Sequence, residues 1–296
     1  MPGRFLKRLV RPELDVRRSD RVFRRYDRDC GYERYHVQCR AAFRQELSDE
    51  ATPLVEQGVD HLHSMTATAA ASTLRQIRER FEARSFRKNA DRVHSYRIDD
   101  ERFAEQLLAA ALSPEADARI KRFFGSEYLV HWYVVNRANP GPDQNRNSFL
   151  WHCDKGPRAH LKLLVYLNGE EEHGGRTEFL DLKATQALAR SGYLFGRVAD
   201  RRADLAPLAE RVGADYRPRS WRMAPGEALL FQPSSVLHRG VMPIRAARYM
   251  LSICLLPSPV PWDEALRRGL ISDLDRDPKW HGDAMEILRG LGRAYA

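Results

Sequence analysis

The sequence predicts a mainly β fold with flanking α-helices, built on a jelly roll or a related double-sheet core. Short apolar and aromatic runs recur between residues 127 and 257, Gly and Pro turns separate them, and amphipathic helical patterns precede them. The chain has 296 residues, 43% of them hydrophobic, which is enough to bury one substantial core. We therefore expect one main domain with helical additions rather than two independent domains.

The chain begins with a basic arm, which we assign to residues 1–30. Residues 1–28 hold ten Lys or Arg and four Asp or Glu, so they carry +6 of the total formal charge of +9 and leave +3 for the other 268 residues. Such an arm favours contact with an anionic surface, namely a membrane, a nucleic acid or an acidic partner, and a solvated, partly helical arm is an equally good interpretation. It lacks the long apolar segment of a secretory signal, and its acids argue against an organelle transit peptide.

A helical N-terminal region, residues 31–126, is expected to brace the β core. Ala67 to Arg84 has apolar residues at three- and four-residue spacing, which is typical of an amphipathic helix. Glu101 to Leu112 and Pro114 to Phe124 have the same character, and the second has Pro at its first helical position. The stretch Leu54 to His63 also has a helical pattern.

The β core is assigned to residues 127–260. Strands are predicted around residues 128–135, 150–154, 159–168, 174–180, 225–231 and 248–256, where apolar runs lie between turn residues. Residues 183–220 form an insertion, and the polar segment Asn136 to Asn147 is a predicted lid or substrate loop. Residues 261–296 are predicted to finish the chain in helices.

Three residues of the β core form a candidate metal site. His152 and Asp154 are two positions apart, so a strand places both on one face and turns Trp151 and Cys153 into the opposite layer. His238 follows 84 residues after Asp154. Two imidazoles and one carboxylate are the facial triad of non-haem Fe(II) oxygenases, and they leave three coordination positions open, whereas a structural zinc site is closed by four ligands.

Other interpretations of the histidines stay open at this point. The three candidate ligands are also consistent with two core histidines and a turn-capping carboxylate, although their joint spacing favours the metal. His61 and His63 are two positions apart in a helical-looking stretch, where they would not share a face. His160 and His173 have no partner at ligand spacing, so surface or supporting roles are favoured.

The order of these motifs resembles the Fe(II)/2-oxoglutarate-dependent dioxygenases, especially their phytanoyl-CoA dioxygenase-like branch, with similarity also to the prolyl hydroxylase pattern. The resemblance covers roughly residues 127–257 and includes Gly174-Gly175-Arg176-Thr177 and Arg248, which follows His238 by ten positions. It implies a double-stranded β-helix, a jelly-roll or cupin-like core, with Fe(II) at its open mouth and 2-oxoglutarate and O2 as co-substrates. It also implies that a basic residue about ten positions after the distal histidine binds the remote carboxylate of 2-oxoglutarate.

Four further residues are candidates for the co-substrate pocket, with one rival. Arg248 is the predicted anchor, because a guanidinium matches a carboxylate with two parallel hydrogen bonds. Ser252 shares its strand face and is expected to add a hydroxyl contact. The resemblance adds Thr177 and Tyr133, for which a β-forming threonine and a core aromatic are the alternatives. Arg245 is the rival to Arg248, but it precedes the strand and is expected in a solvated loop.

The resemblance implies an enzyme that oxidises a small or carrier-linked metabolite with release of succinate and CO2. Asp154 favours hydroxylation, desaturation or ring formation over halogenation, because related halogenases have a small residue at this position so that chloride binds the iron. A peptide or protein side-chain hydroxylase is an alternative, and a non-catalytic metal-binding or scaffold protein is another, although Arg248 argues against the scaffold. A nucleic-acid substrate is disfavoured, because the arginine-rich signature after the distal histidine is absent here.

Composition predicts the cell compartment. No apolar run approaches the length of a membrane span, so a transmembrane segment is not expected. The four cysteines, Cys30, Cys39, Cys153 and Cys254, form no C-x-x-C pair and no disulfide-rich pattern, which predicts a reducing cytoplasm. Cys153 is expected to pack away from the metal.

Overall fold

The computed structural model of the full chain describes residues 21–29, 31–47, 51–82, 93–96, 98–141, 147–194 and 198–268. Most of the predicted basic arm, residues 142–146 of the predicted lid and most of the predicted C-terminal helical segment lie outside the described residues. The boundaries of the predicted regions therefore stay a prediction.

A six-stranded antiparallel sheet forms the larger half of the core. Its two longest strands lie side by side, and each central strand is buried on both faces, as its apolar run predicts. From edge to edge the strands are β1 (Val59–His63), β6 (Glu227–Phe231), β4 (Leu161–Tyr166), β8 (Arg248–Ser258), β3 (Glu127–Ala138) and β2 (Val93–Tyr96).

A smaller sheet faces the larger one. It is formed by β5 (Arg176–Phe179) and β7 (His238–Val241), which pair antiparallel, and isolated bridges extend it on both sides. Phe179 meets Phe231 of β6 with ring centroids 5.0 Å apart, so side chains from the inner faces of the two sheets interdigitate. The predicted mainly β fold, a double-stranded β-helix with flanking helices, is confirmed.

Helices cover the outer face of the larger sheet, as predicted. Leu107, Leu108 and Ile120 are buried there in one apolar cluster with Leu251 and Leu255 of β8. Over all of the described residues, and not on this face alone, the α-helices are α1 (Tyr32–Ala42), α2 (Pro53–Glu56), α3 (Ala67–Ile77), α4 (Glu101–Ala111), α5 (Pro114–Phe124), α6 (Glu170–His173), α7 (Leu182–Arg190), α8 (Ala206–Val212) and α9 (Trp262–Arg267).

The helix ends follow the capping signals in the sequence. The side chains of Asp100 and Ser113 accept hydrogen bonds from the first turns of α4 and α5, which satisfies backbone donors there. The predicted helix from residue 67 to 84 is present as α3 and a π-helical turn, Arg78–Glu82, and its last two predicted residues lie outside the described residues. The predictions for α4 and α5 agree with the structure to within one residue.

The prediction of a helix from Leu54 to His63 is wrong beyond its first turn. Only α2 is helical, and Gly58 then adopts a left-handed backbone with φ of 83°, which ends the turn. The following residues form β1, whose backbone pairs antiparallel with β6. This long-range pairing overrides the local pattern, so the helical N-terminal region also supplies β1 and β2 to the larger sheet.

Two features bear on the compartment prediction. No helix among the described residues is long and apolar enough to cross a membrane. Cys39, Cys153 and Cys254 are buried free thiols, while Cys30 lies outside the described residues.

Candidate metal centre

The segment that contains His152 and Asp154 is extended, and one of its edges is joined by backbone hydrogen bonds to the segment that contains His238. His152 N donates to the carbonyl of His238 at 3.1 Å, and His238 N donates back to His152 at 2.9 Å. Asp154 N donates to the carbonyl of Pro233 at 2.8 Å. The backbone therefore places the two histidines directly opposite each other, with Asp154 one strand repeat further along.

The other edge of the same segment pairs with the insertion. Trp151 N donates to the carbonyl of Arg202 at 2.9 Å, and Cys153 N donates to that of Leu194 at 3.2 Å. The side chains of Trp151 and Cys153 are buried in an apolar cluster with residues of α7 and α8. Cys153 therefore has the packing role that strand alternation predicts, and residues 183–220 support the back of the metal centre.

The structure brings the three predicted ligands together. One ligand atom from each of His152, Asp154 and His238 lies within 4.8 Å of the others. The Nε2 of His152 is 3.5 Å from Asp154 Oδ1, and the Nε2 of His238 is 3.9 Å from Asp154 Oδ2. Two imidazole nitrogens and a carboxylate thus converge on one point.

The backbone fixes the orientation of both imidazoles. His152 Nδ1 lies 2.7 Å from the carbonyl oxygen of Leu150, and His238 Nδ1 lies 3.0 Å from that of Val236. A carbonyl only accepts hydrogen bonds, so each Nδ1 is the protonated nitrogen and each Nε2 keeps a free lone pair. A carbonyl partner of this kind is the usual support for a metal-bound histidine.

The protonation states also suit a metal ion. Burial lowers the pKa of His152 well below its usual value, helped by His238 and opposed by Asp154. Burial likewise lowers the pKa of His238 to about 4 against the attraction of Asp154. Burial raises the pKa of Asp154, but Lys162 and the two histidines outweigh it and hold that pKa well below its usual range. Neutral imidazoles beside an ionised carboxylate are the forms that bind metals.

Lys162, which sequence reasoning missed, belongs to this centre. Its ammonium group donates a hydrogen bond to Oδ2 of Asp154 and lies 5.2 Å from the ring centroid of Trp132. Lys162 is on β4 and faces Asp154, while Leu161 and Leu163 point into the apolar layer. A lone charge in a buried strand was the available signal, because such a charge requires a partner.

Arg248 lies between the two sheets, 5% exposed. Its Nη1 donates to the carbonyls of Arg176 and Val241, at 3.0 and 3.3 Å. A Cβ built on Gly240 would lie 3.5 Å from Arg248 Nη2. Gly240 follows His238 by two residues on β7, so the guanidinium lies roughly 7 Å along the strand from the distal ligand. The same Cβ would lie 3.1 Å from the ring of Phe149, so glycine keeps this space open.

Two hydroxyl groups lie beside Arg248. Thr177 is directly opposite Gly240 in the smaller sheet, and its Oγ1 is 2.8 Å from the hydroxyl of Tyr166. Tyr166 reaches across from β4, and the positive charge of Arg248 acts on it. The hydroxyl of Thr177 therefore lies close to Arg248 together with that of Tyr166, which the sequence did not single out.

Ser252 and Tyr133 lie on opposite faces of the larger sheet. Ser252 Oγ accepts a hydrogen bond from Asn136 Nδ2 at 3.1 Å, and its backbone partner is Val134. Tyr133 packs against the apolar cluster under the helices. Paired residues share a sheet face and sequential ones alternate, so Ser252 faces the smaller sheet while Tyr133 faces the helices. Tyr133 therefore lies apart from the face that carries the predicted co-substrate residues.

The structure also shows the surroundings of Arg245, His160 and His173. Arg245 is exposed, and its guanidinium donates to the carbonyls of Glu170 and Glu171, which is the solvated loop position expected for it. His160 and His173 are both buried, so the surface alternative for them is wrong. His173 Nδ1 accepts from Gly175 N at 3.0 Å, and its ring stacks on that of Tyr166.

Comparisons with known proteins give similarity only in structure. No protein-family model matches the chain, and no curated protein matches it. One similar solved structure is the epimerase SnoN in complex with Fe3+, alpha ketoglutarate and nogalamycin RO, with 11% identity over 76% of this chain and 85% of that chain and a TM-score of 0.49. EctD from S. alaskensis, with 2-oxoglutarate and 5-hydroxyectoine, has 15% identity over 75% and 85% and a TM-score of 0.47. A Pseudomonas putida prolyl-4-hydroxylase has 16% identity over 69% and 95% and a TM-score of 0.42.

Proposed function

We propose that this chain is a non-haem Fe(II)/2-oxoglutarate-dependent oxygenase. The observation that carries the proposal is the convergence of His152, Asp154 and His238, with both Nε2 atoms free of backbone partners and turned toward the carboxylate. These three residues would hold the metal on one face and leave the opposite face for other ligands. The donor set fits Fe(II) better than a structural zinc ion, because a fourth protein ligand is not among the residues of this cluster.

The metal supplies the activation of O2 when it is bound, coupled to conversion of 2-oxoglutarate to succinate and CO2. The protein holds the three candidate ligands in fixed positions. His152 and His238 are held by backbone carbonyls, and Lys162 holds Oδ2 of Asp154 at the centre. A centre whose ligands are fixed in advance places a substrate C–H bond accurately, which is a large part of what such a protein contributes to rate.

The pocket formed by Arg248, Thr177 and Tyr166 would bind the remote carboxylate of 2-oxoglutarate. Arg248 offers a buried planar donor group, and the hydroxyls of Thr177, on the smaller sheet, and Tyr166, on the larger sheet, lie 2.8 Å apart. The guanidinium of Arg248 lies next to Gly240, which follows His238 by two residues on β7. The short distance between the guanidinium and the metal site suits a five-carbon diacid whose keto-acid end is at the metal. Ser252 lies further along the same inner face and is proposed as a supporting hydroxyl.

The substrate is proposed to be a small or carrier-linked metabolite, and hydroxylation is the proposed outcome. The ionised Asp154 supports oxygen insertion over halogenation, because it occupies the position that a halide would need. A peptide side-chain hydroxylase is the second enzymatic candidate and a non-catalytic metal-binding scaffold is the alternative of another class, although the buried Arg248 opposes the scaffold. A cytoplasmic location and contact of the basic arm with an anionic surface complete the proposal, as charge and cysteine usage support them.

The test is turnover of 2-oxoglutarate by the Fe(II)-loaded full chain in air. We expect slow succinate release without substrate, faster release with members of a library of acids, acyl thioesters and peptides, and product mass increased by one oxygen. Asp154→Ala is the matched control and should release no succinate above buffer. Equal succinate release by the wild-type protein and Asp154→Ala would contradict the proposal.

A further inference from the structure

Lys162 reaches the candidate metal centre from the sheet opposite to the one that holds the histidines. It lies on β4 of the larger sheet, whereas His152 forms a bridge with His238, the first residue of β7 in the smaller sheet. The ammonium group of Lys162 donates a hydrogen bond to Oδ2 of Asp154. Asp154 is therefore held by an ammonium group from one sheet beside two imidazoles from the other.

The neighbours of Lys162 in the larger sheet fix this direction of approach. Lys162 is paired with Cys254 on one side and with Phe231 on the other, and Cys254 is paired in turn with Trp132. Directly paired residues share a sheet face, so these side chains all point toward the smaller sheet. The Trp132 ring centroid lies 5.2 Å from Lys162 Nζ, and the ring of Phe231 packs on that of His238 with centroids 4.9 Å apart. The side chain of Lys162 is thereby directed across the space between the sheets.

The bond from Lys162 makes the two carboxylate oxygens of Asp154 unequal. Oδ2 accepts from the ammonium group, whereas Oδ1 accepts no hydrogen bond within the part of the chain that the structure describes. Oδ1 lies 3.5 Å from Nε2 of His152. Both charged side chains are mostly buried, and a charge-assisted hydrogen bond between them is stronger than a neutral one. Oδ1 is therefore the oxygen that is left for a metal ion.

The number of oxygens that Asp154 provides decides how many coordination positions stay open. Two imidazoles and one carboxylate oxygen occupy three of the six positions of an octahedral iron site. A keto acid that chelates the metal takes two more positions, which leaves one for O2. A carboxylate that binds through both of its oxygens would take that last position. The proposed function therefore requires Asp154 to bind through one oxygen.

We propose that Lys162 is a positioning residue that limits Asp154 to one metal-binding oxygen, Oδ1, and so keeps a coordination position open for O2. The inference rests on the proposed function and deepens it, because it gives a role to a residue outside the triad. Lys162 acts through Asp154, since Oδ2 would have to give up a charge-assisted bond before it could join the metal. That step is unfavourable, because it would separate a mostly buried ion pair.

The test counts open positions with nitric oxide, which binds Fe(II) in place of O2. Full-length protein is loaded anaerobically with Fe(II), and the affinity for nitric oxide is measured from the paramagnetic signal of the nitrosyl complex. The titration is done without 2-oxoglutarate and with 2-oxoglutarate at about ten times its own Kd, where a competitor weakens binding roughly tenfold by mass action. Wild type should bind both ligands together, with a change in nitric oxide affinity of less than about threefold.

Four variants decide the assignment. Lys162→Met removes the donor and should bind Fe(II) at least as tightly as wild type, while 2-oxoglutarate should now weaken its nitric oxide binding roughly tenfold. Lys162→Arg keeps a charged donor and should restore simultaneous binding. Lys183→Met removes an exposed lysine of α7 and is the matched control, which should behave like wild type. The result for Lys162→Met is also expected of Lys162→Ala, which replaces it in the test if the methionine variant does not fold.

Three outcomes would overturn the proposal. The first is simultaneous binding of nitric oxide and 2-oxoglutarate by Lys162→Met. The second is loss of Fe(II) binding by this variant in its folded state, because Lys162 would then support Asp154 as a ligand rather than limit it. The third is equal competition in Lys183→Met, because the effect would then not depend on the bond to Asp154.

The loading steps separate this inference from the proposed function. Wild type that binds Fe(II) but not 2-oxoglutarate would reject the oxygenase, and picolinate, a bidentate chelator, then replaces 2-oxoglutarate in the same experiment. Competition between picolinate and nitric oxide in Lys162→Met but not in wild type would support the role of Lys162 without the oxygenase. Equal behaviour of the two proteins, or wild type that binds no Fe(II), would reject both.

Discussion

Two segments of this chain share a motif but differ in what surrounds it. His152-x-Asp154 and His61-x-His63 are both extended, and each presents its two polar side chains on one sheet face. The side chains of His152 and Asp154 are 6% and 25% exposed, whereas those of His61 and His63, on the edge strand β1, are 27% and 77% exposed. The spacing is therefore common to both, and burial separates them.

The acidic partners differ as well. Glu227 lies 3.3 Å from His61 Nε2 and 3.7 Å from His63 Nδ1, so that pair shares one carboxylate. Among the described residues, only the group of His152, Asp154 and His238 brings three ligand atoms within 4.8 Å of one another. In the buried site, backbone carbonyls hold the Nδ1 atoms of His152 and His238, and this leaves both Nε2 atoms available to a metal ion.

The largest expected effect is on Fe(II) affinity, which should depend on the segment with His152 and Asp154 and not on the segment with His61 and His63. Asp154→Ala removes the charged ligand and should weaken Fe(II) binding by at least about 100-fold, since even supporting residues of metal sites are worth about 10- to 100-fold. His63→Ala should leave that affinity within about twofold. Anaerobic Fe(II) titration of both variants measures this, and equal losses would erase the distinction between the segments.

A second prediction concerns the pocket that only the buried segment has beside it. Arg248→Ala removes the buried guanidinium and should weaken 2-oxoglutarate binding by about 10- to 100-fold, which corresponds to a charged hydrogen-bonded pair. Fe(II) affinity should not change. Arg245→Ala is the matched control, because its guanidinium caps the loop carbonyls of Glu170 and Glu171. A larger loss of co-substrate affinity in Arg245→Ala would move the anchor to the loop.

Burial of histidines also sets an acid limit on stability. Burial, with a smaller effect of His160, lowers the pKa of His131 to about 3, below the unfolded value of about 6.5. The unfolded chain therefore binds this proton more tightly, and stability is lost as the pH falls from about 6.5 toward about 3. His131→Gln should reduce the slope of unfolding free energy against pH in that window by up to about 1.4 kcal/mol per pH unit.

Urea unfolding of wild type and His131→Gln at a series of pH values measures this slope. Above about pH 8 the two proteins should have equal slopes, because His131 is neutral in both the folded and the unfolded state there. Equal slopes between pH 6 and 4 would show that His131 does not bind the proton on unfolding.

The smallest expected effect is at the edge-strand pair. Glu227→Gln removes the charge shared by His61 and His63 but keeps a carbonyl to accept the bond from Ala224 N, 2.7 Å away. The unfolding free energy should fall by no more than about 1 kcal/mol, as is usual for partly exposed ion pairs. Iron stoichiometry should stay at its wild-type value, and a lost equivalent of bound metal would show that β1 holds a metal after all.

The candidate ligands could be proposed from the sequence because one pair is adjacent on a strand and the third follows in a fixed order of motifs. Strand alternation puts His152 and Asp154 on one face, and the motif order supplies His238 and Arg248 at fixed spacing. β1 was not predictable in this way, since its pairing with β6 spans more than 160 residues and overrides a helical pattern.

The inner face was predicted incompletely for two physical reasons. A register shift between Val130 and Trp132 moves the later residues of β3 to the opposite face, which takes Tyr133 to the helices. The partners of Lys162 and Tyr166 come from other strands, so their roles depend on how the two sheets pack. Neither a bulge nor sheet packing has a signature in the residues themselves.

The most direct test is an anaerobic optical titration of the metal-free protein with Fe(II) and then with 2-oxoglutarate. The account predicts one equivalent of bound iron and, on addition of the co-substrate, a visible metal-to-ligand charge-transfer band that is absent in Asp154→Ala. Folded protein that binds iron at His152, Asp154 and His238 but gives no band with saturating 2-oxoglutarate would contradict the account.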